Sequence, residues 1–123
     1  MNSLITSIDH IQIAAPPNSE DKARSFYGDI LGMTEIQKPN NLQGRGGCWF
    51  QAGAQEVHIG IQQDFVPAKK AHPGFTINAL EPLKLQLQKA GYAVHEDAPI
   101  NGRSRFFTND PFGNRIEFLA FDN

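Results

Sequence analysis

The sequence predicts an α+β fold in which two β-α-β-β-β modules bring their sheets together as a cleft, and three observations carry that prediction. The first is a turn and the strand it feeds, Asp110-Pro111-Phe112-Gly113 running into Asn114-Arg115-Ile116-Glu117-Phe118-Leu119. Asp suits the first position of a type I turn, Pro presets φ at the second, and Gly takes a positive φ at the fourth. A hairpin with Pro111, Phe112 and Gly113 as its loop sets Glu117 opposite Phe107 and Leu119 opposite Arg105. The second observation is that the order strand, helix, three strands occurs twice. The third is that each half has one helix. It can cover one face of its strands and must leave the other open.

Taken in order, residues 8–15 alternate, with Ile11 and Ile13 on one face and His10, Gln12 and Ala14 on the other. Pro16-Pro17 ends that strand. Asn18 and Ser19 are N-cap candidates ahead of Glu20 and Asp21, where the helix dipole favours acids. Ala23, Phe26, Tyr27, Ile30 and Leu31 form an apolar stripe, and Gly32 closes the helix. A short strand is expected over 33–37, then a polar, Gly-rich, mobile loop over 38–47. Strands over 47–51 and 55–62 follow. In the second of these, Val57, Ile59 and Ile61 face one way and Glu56, His58, Gly60 and Gln62 the other.

The plan then restarts. His72, Gly74 and Thr76 share one face of a strand, and Leu80, Leu83, Leu87 and Ala90 stripe a helix over 81–90 that stops at Gly91. A strand is expected over 92–98 and the closing hairpin over 103–121. The expectation is one domain, 1–123, with halves of about 4–63 and 70–122.

Composition narrows the function classes. Hydrophobic content of 40% and charged content of 20% are ordinary for a globular chain. With 11 basic and 13 acidic residues and no basic run, nucleic acid and anionic membrane are poor partners. The apolar runs are too short to span a bilayer, and no signal-peptide pattern opens the chain. A single cysteine, Cys48, cannot form an internal disulfide, so a cytoplasmic location is expected. Beside Trp49 and Phe50 it reads as a buried packing residue.

The chemistry gathers on the open faces. His10 and His72 occupy the first strand of each half, and His58 and Glu117 the last. Four metal-competent side chains thus stand at two pairs of equivalent positions. Imidazole and carboxylate suit Zn, Fe, Mn, Ni or Co, and two histidines with one carboxylate leave coordination positions open for catalysis. Arg105 and Phe107 share the Glu117 face, and Trp49 or Phe50, depending on register, forms an apolar wall of a substrate pocket. Lys69, Lys70 and Arg45 lie in loops and read as solvated charges. His95 has no counterpart in the other half and reads as an exposed strand residue.

These residues carry a resemblance. Asp9-His10-Ile11, Phe26-Tyr27-Gly28-Asp29-Ile30-Leu31-Gly32, Val57-His58-Ile59, His72 and the stretch from Asp110 to Glu117 together resemble the vicinal oxygen chelate superfamily. That superfamily includes glyoxalases, extradiol dioxygenases, fosfomycin-resistance thiol transferases and bleomycin-binding proteins. The resemblance covers almost the whole chain and implies the glyoxalase-like fold. It implies His10, His72 and Glu117 as metal ligands, with His58 at a position that holds a glutamate ligand and base in many glyoxalases. It also implies a homodimer whose site is shared between chains. The expected function is a metal-dependent lyase, isomerase or thiol-transfer enzyme acting on a small oxygen-chelating substrate, with His58 and Glu117 as its catalytic groups. The alternatives are a metal-free drug-binding protein of the bleomycin-resistance kind and a ring-cleaving dioxygenase.

Overall fold

The hairpin register fixes the second sheet. In the computed structural model, which describes residues 2–122, Glu117 pairs with Phe107 and Leu119 with Arg105, as the turn requires. Met1 and Asn123, the ends of the expected domain, lie outside the described residues. Gly113 takes φ 95° and donates its N–H to the Asp110 carbonyl at 3.0 Å, closing the loop.

The first sheet has the order β1-β4-β3-β2, from strands β1 (His10–Ala15), β2 (Thr34–Ile36), β3 (Cys48–Ala52) and β4 (Gln55–Ile61). The second has the order β5-β7-β6, from β5 (Gly74–Thr76), β6 (Arg103–Asn109) and β7 (Arg115–Phe121). In each sheet the first strand of the module runs parallel to the last, and the last pairs antiparallel with the strand before it.

Helix α1 (Glu20–Ala23) continues without a break as a π-helix (Arg24–Ile30) and covers the first sheet. The wider winding shows at Leu31, whose N–H reaches back five residues to the Phe26 carbonyl at 2.9 Å. The stripe read from the sequence is the buried one: Ala23, Phe26 and Tyr27 are fully enclosed and pack with Phe50, Val57 and Ile59. Helix α2 (Leu80–Lys89) covers the second sheet, where Leu87, Phe106, Ile116 and Phe118 are enclosed. Phe26 meets Tyr92 at 4.9 Å between ring centroids, which makes the two cores one.

Three local expectations change. The strand expected over 92–98 reduces to a single bridge, His95 with Phe107. The ladder fails around it for identifiable reasons. The Thr108 hydroxyl donates to the Ala93 carbonyl at 2.7 Å, and Asp97 turns its carboxylate onto the Ala98 N–H at 2.7 Å just before Pro99. The loop expected to be mobile over 38–47 contains a 3-10 helix, Asn40–Arg45, held by the Gln43 amide on Lys38 and Asn40. Its exit is pinned where Glu20 accepts the Gly47 N–H at 2.7 Å, a bond that lowers the Glu20 carboxyl below its usual range. Gly47 has φ 82°, and a Cβ there would stand 2.0 Å from the Ile59 carbonyl oxygen, so the chain passes too close for any other residue. The strand expected to open at His72 begins at Gly74, so His72 precedes it.

A buried polar knot joins the halves. The Tyr27 hydroxyl donates to Asp110 at 2.7 Å, and the Asn114 side-chain amide donates both to Asp110 at 3.0 Å and to the Ala14 carbonyl at 2.8 Å. The other Asp110 oxygen accepts the N–H groups of Phe112 and Asn114, each at 2.9 Å. Burial, and then the Asp110 carboxylate, push the Tyr27 phenol well above its usual range.

Tyr27→Phe removes the knot's cross-module donor and should cost about 1.5–3 kcal/mol, the worth of a hydrogen bond to a charged group. Urea melts read this, and a loss below measurement error would mean the knot is not a structural tie. A second expectation concerns pH. Burial raises the Cys48 thiol from 9.0 to about 11, so its contribution to stability is complete below pH 9.0 and declines between there and about 11. Denaturation midpoints should fall over that window, and Cys48→Ala should flatten the fall.

Candidate functional site

The uncovered face of each sheet presents a matched set of positions. On the first sheet His58 pairs with Gln12 on one side and Trp49 on the other. On the second Glu117 pairs with Gly74 and Phe107. The same lattice therefore relates His58 to Glu117, Trp49 to Phe107 and Glu56 to Arg115, with His10 and His72 two residues before Gln12 and Gly74. This duplication of register is independent of any sequence similarity between the halves.

The first half-site is a column of rings. Trp49 stacks on His58 with centroids 3.6 Å apart and planes within 2°, and His58 stacks on His10 at 4.2 Å and 16°. His58 is 4% exposed and donates its Nε2–H to the Glu56 carboxylate at 2.9 Å. The outer ring, His10, donates Nδ1–H to the Asp9 carboxylate at 3.0 Å.

The second half-site is a cluster of charges over one ring. His72 sets Nε2 at 2.8 Å from Glu117 and donates Nδ1–H to the Lys70 carbonyl at 2.9 Å. Arg105 approaches the other Glu117 oxygen at 3.4 Å and donates to the Ala98 carbonyl at 2.7 Å. Phe107 forms the floor, with His72 edge-on at 5.3 Å and Arg115 at 4.0 Å above its ring. Asp97 pairs with Arg115 at 3.0 Å, and its carboxyl is lowered by the Ala98 N–H first and the Arg105 and Arg115 cations after. The buried Arg105 Nε has no partner among the described residues.

Each of the expected site residues can now be located. Glu117, His72, Arg105 and Phe107 come together, and His10, His58 and Trp49 come together. The two sets stay separate within one chain: among the described residues no group of three or more His, Cys, Asp or Glu could hold a metal ion. Phe50 does not belong to the pocket. It is 1% exposed on the helix side of β3, packed against Tyr27, because strand alternation gives the open face to Trp49 and the core to its neighbour. Glu56, Gln12 and Arg115 were not singled out from the sequence. Each lies two residues from a candidate ligand on the same strand, so alternation alone places them on the open face.

Donor chemistry tests whether these residues suit a metal. Ligating histidines usually give their second ring nitrogen to a carboxylate or a backbone carbonyl. His10 and His72 do so through Nδ1, which leaves Nε2 as the ligand nitrogen. Glu117, 9% exposed and flanked by apolar neighbours, supplies a carboxylate beside His72. The set fits a divalent ion.

The fold is that of the glyoxalase class. The Glyoxalase/Bleomycin resistance protein/Dioxygenase superfamily model matches residues 7–118, and the chain belongs to that superfamily. A glyoxalase family protein from Bacillus anthracis has 49% sequence identity and a TM-score of 0.94, covering 99% of this chain and 100% of that one. "Glyoxylase I 4" of Arabidopsis thaliana is 25% identical over 131 residues, which span 97% of this chain and 73% of that protein. A fosfomycin resistance protein from Listeria monocytogenes shares the fold at a TM-score of 0.78 with 15% identity, covering 97% and 96% of the two chains. Members of the superfamily commonly use divalent metals, bind small molecules and form dimers. Among the described residues no helix is long and apolar enough to cross a membrane.

The split between Trp49 and Phe50 has a direct check. Phe50→Ala should cost about 3–5 kcal/mol through loss of core packing. Trp49→Phe, on the open face, should cost less than half as much in the same urea titration. Equal losses would place both side chains in the core.

Proposed function

We propose that this chain is a metal-dependent enzyme of the glyoxalase type, a lyase, isomerase or thiol-transfer catalyst for a small substrate that offers oxygen donors. The observation that supports it best is the shared habit of His10 and His72. Each commits Nδ1 to an acceptor on its own segment and keeps Nε2 for a ligand, and His72 holds Nε2 against Glu117. His10, His72 and Glu117 would hold the ion, with His10 coming from one protomer of a homodimer and His72 and Glu117 from the other. A divalent ion so held supplies Lewis-acid stabilisation of charge on a substrate oxygen.

The chain's own groups do the rest. Arg105, 15% exposed and beside Glu117, orients an anionic group of the substrate through its guanidinium. Trp49 and Phe107 supply apolar surface that excludes water and strengthens those polar contacts. Glu117 fixes one corner of the site and offsets part of the ion's charge.

Metal content of untagged protein is the decisive measurement. Wild-type protein should carry a divalent ion, and an ion present at a hundredfold excess over Kd should stabilise the fold by about 2.7 kcal/mol. His10→Ala, His72→Ala and Glu117→Gln should each abolish that metal-dependent gain, whatever they cost the metal-free fold. Wild-type protein whose melting is indifferent to zinc, nickel, cobalt, manganese and iron would instead favour a metal-free binding protein.

A further inference from the structure

We infer that His58 is a positioning residue, one that aims the His10 ring at the ion without itself ligating it. The inference rests on the metal-dependent reading above and adds to it a role for His58, the one of the four expected ligands that reading leaves out. The geometry of the ring column carries it. A metal bound to imidazole lies in the plane of the ring, about 2.0–2.1 Å from the nitrogen. His58 and His10 are stacked within 16° of parallel with centroids 4.2 Å apart. An ion in the plane of one ring is therefore off the plane of the other by a large part of that separation, and one ion cannot satisfy both.

Hydrogen bonding points the same way. His10 and His72 anchor through Nδ1, with His72 Nε2 at 2.8 Å from its expected co-ligand Glu117, whereas His58 anchors through Nε2, on Glu56 at 2.9 Å. Its other side is closed by Trp49, stacked at 3.6 Å. With 4% exposure, two ring faces covered and one nitrogen anchored, the His58 ring has a single orientation. That flat, fixed surface restricts rotation of His10, whose own anchor is the 90% exposed side chain of Asp9 and so is weak. Order in His10 thus comes from the column Trp49–His58, braced by Glu56, more than from its carboxylate. A ligand preorganised in this way binds metal more tightly because less rotamer freedom is lost on binding.

Replacement of the ring separates a stacking role from a ligating one. His58→Phe keeps an aromatic plane and has no nitrogen, whereas His58→Ala removes both. Cobalt(II) titration of purified metal-free dimer, followed by visible absorption and calorimetry, should show His58→Phe within a few-fold of wild type with an unchanged spectrum. His58→Ala should bind about 10–100-fold more weakly at unchanged stoichiometry, the usual penalty for losing a group behind a ligand. His10→Ala should not bind. Glu56→Ala leaves every candidate ligand in place at a partly exposed position, and should weaken binding in the same direction as His58→Ala should His58→Phe not fold. Trp49, the only tryptophan, reports the column without metal: its emission should change in His58→Ala.

Two results overturn the inference while the metal reading stands. One is His58→Phe as deficient as His10→Ala, which would make His58 a ligand. The other is His58→Ala indistinguishable from wild type, which would leave it no positioning role. Failure of wild-type protein to take up cobalt overturns the metal reading itself and the inference with it.

Discussion

The buried carboxylate of Asp110 is the constraint on which the arrangement depends. It belongs to the turn of the last hairpin, yet its donors include Tyr27 from the first half, and the adjoining Asn114 reaches the Ala14 carbonyl on β1 and accepts the Ala68 N–H of the connecting segment. A buried charge without such donors would cost several kcal/mol, so turn and helix are each committed to the other. The knot thereby ties the helix and β1 of the first half to the last hairpin of the second.

What the duplication preserves is position, and what it varies is chemistry. Equivalent lattice points hold Trp49 and Phe107, His58 and Glu117, Glu56 and Arg115. One half-site is a braced aromatic column ending in a histidine, the other a carboxylate and histidine between two arginines. Among the described residues neither gathers three donors that could hold a metal ion. They complement each other in the donors a metal needs and in the apolar and cationic surface a small anion needs. A cleft shared by two protomers follows if the first face of one chain meets the second face of its partner.

Much of this was legible in the residue order, for physical reasons that can be named. Asp110-Pro111-Phe112-Gly113 admits few backbone geometries, so it carried the register of β6 and β7 with it. Alternation put His10, His58 and Glu117 on open faces because Ile13, Val57, Ile59 and Phe118 needed the opposite ones. Where two large aromatics stood side by side, as at Trp49 and Phe50, composition could not decide which faced inward, and a shift of one residue reverses the answer. The failed strand around His95 depended on side chains competing with the backbone, at Thr108 and Asp97, which propensity does not register. The stacking of His58 on His10, and its bond to Glu56, needed three strands in register at once and so could not be read from any one of them.

The central claim is that the site is completed by a second chain. Protomers carrying His10→Ala and protomers carrying Glu117→Gln, distinguished by two removable tags, can be refolded together and the mixed dimer isolated before the tags are cleaved. In a shared site, the mixed dimer joins one intact pair of half-sites to one doubly deficient pair, so it should regain half the wild-type metal content while each mutant homodimer has none. A mixed dimer as empty as its parents would contradict the account, because it would mean that His10 and Glu117 must belong to the same chain.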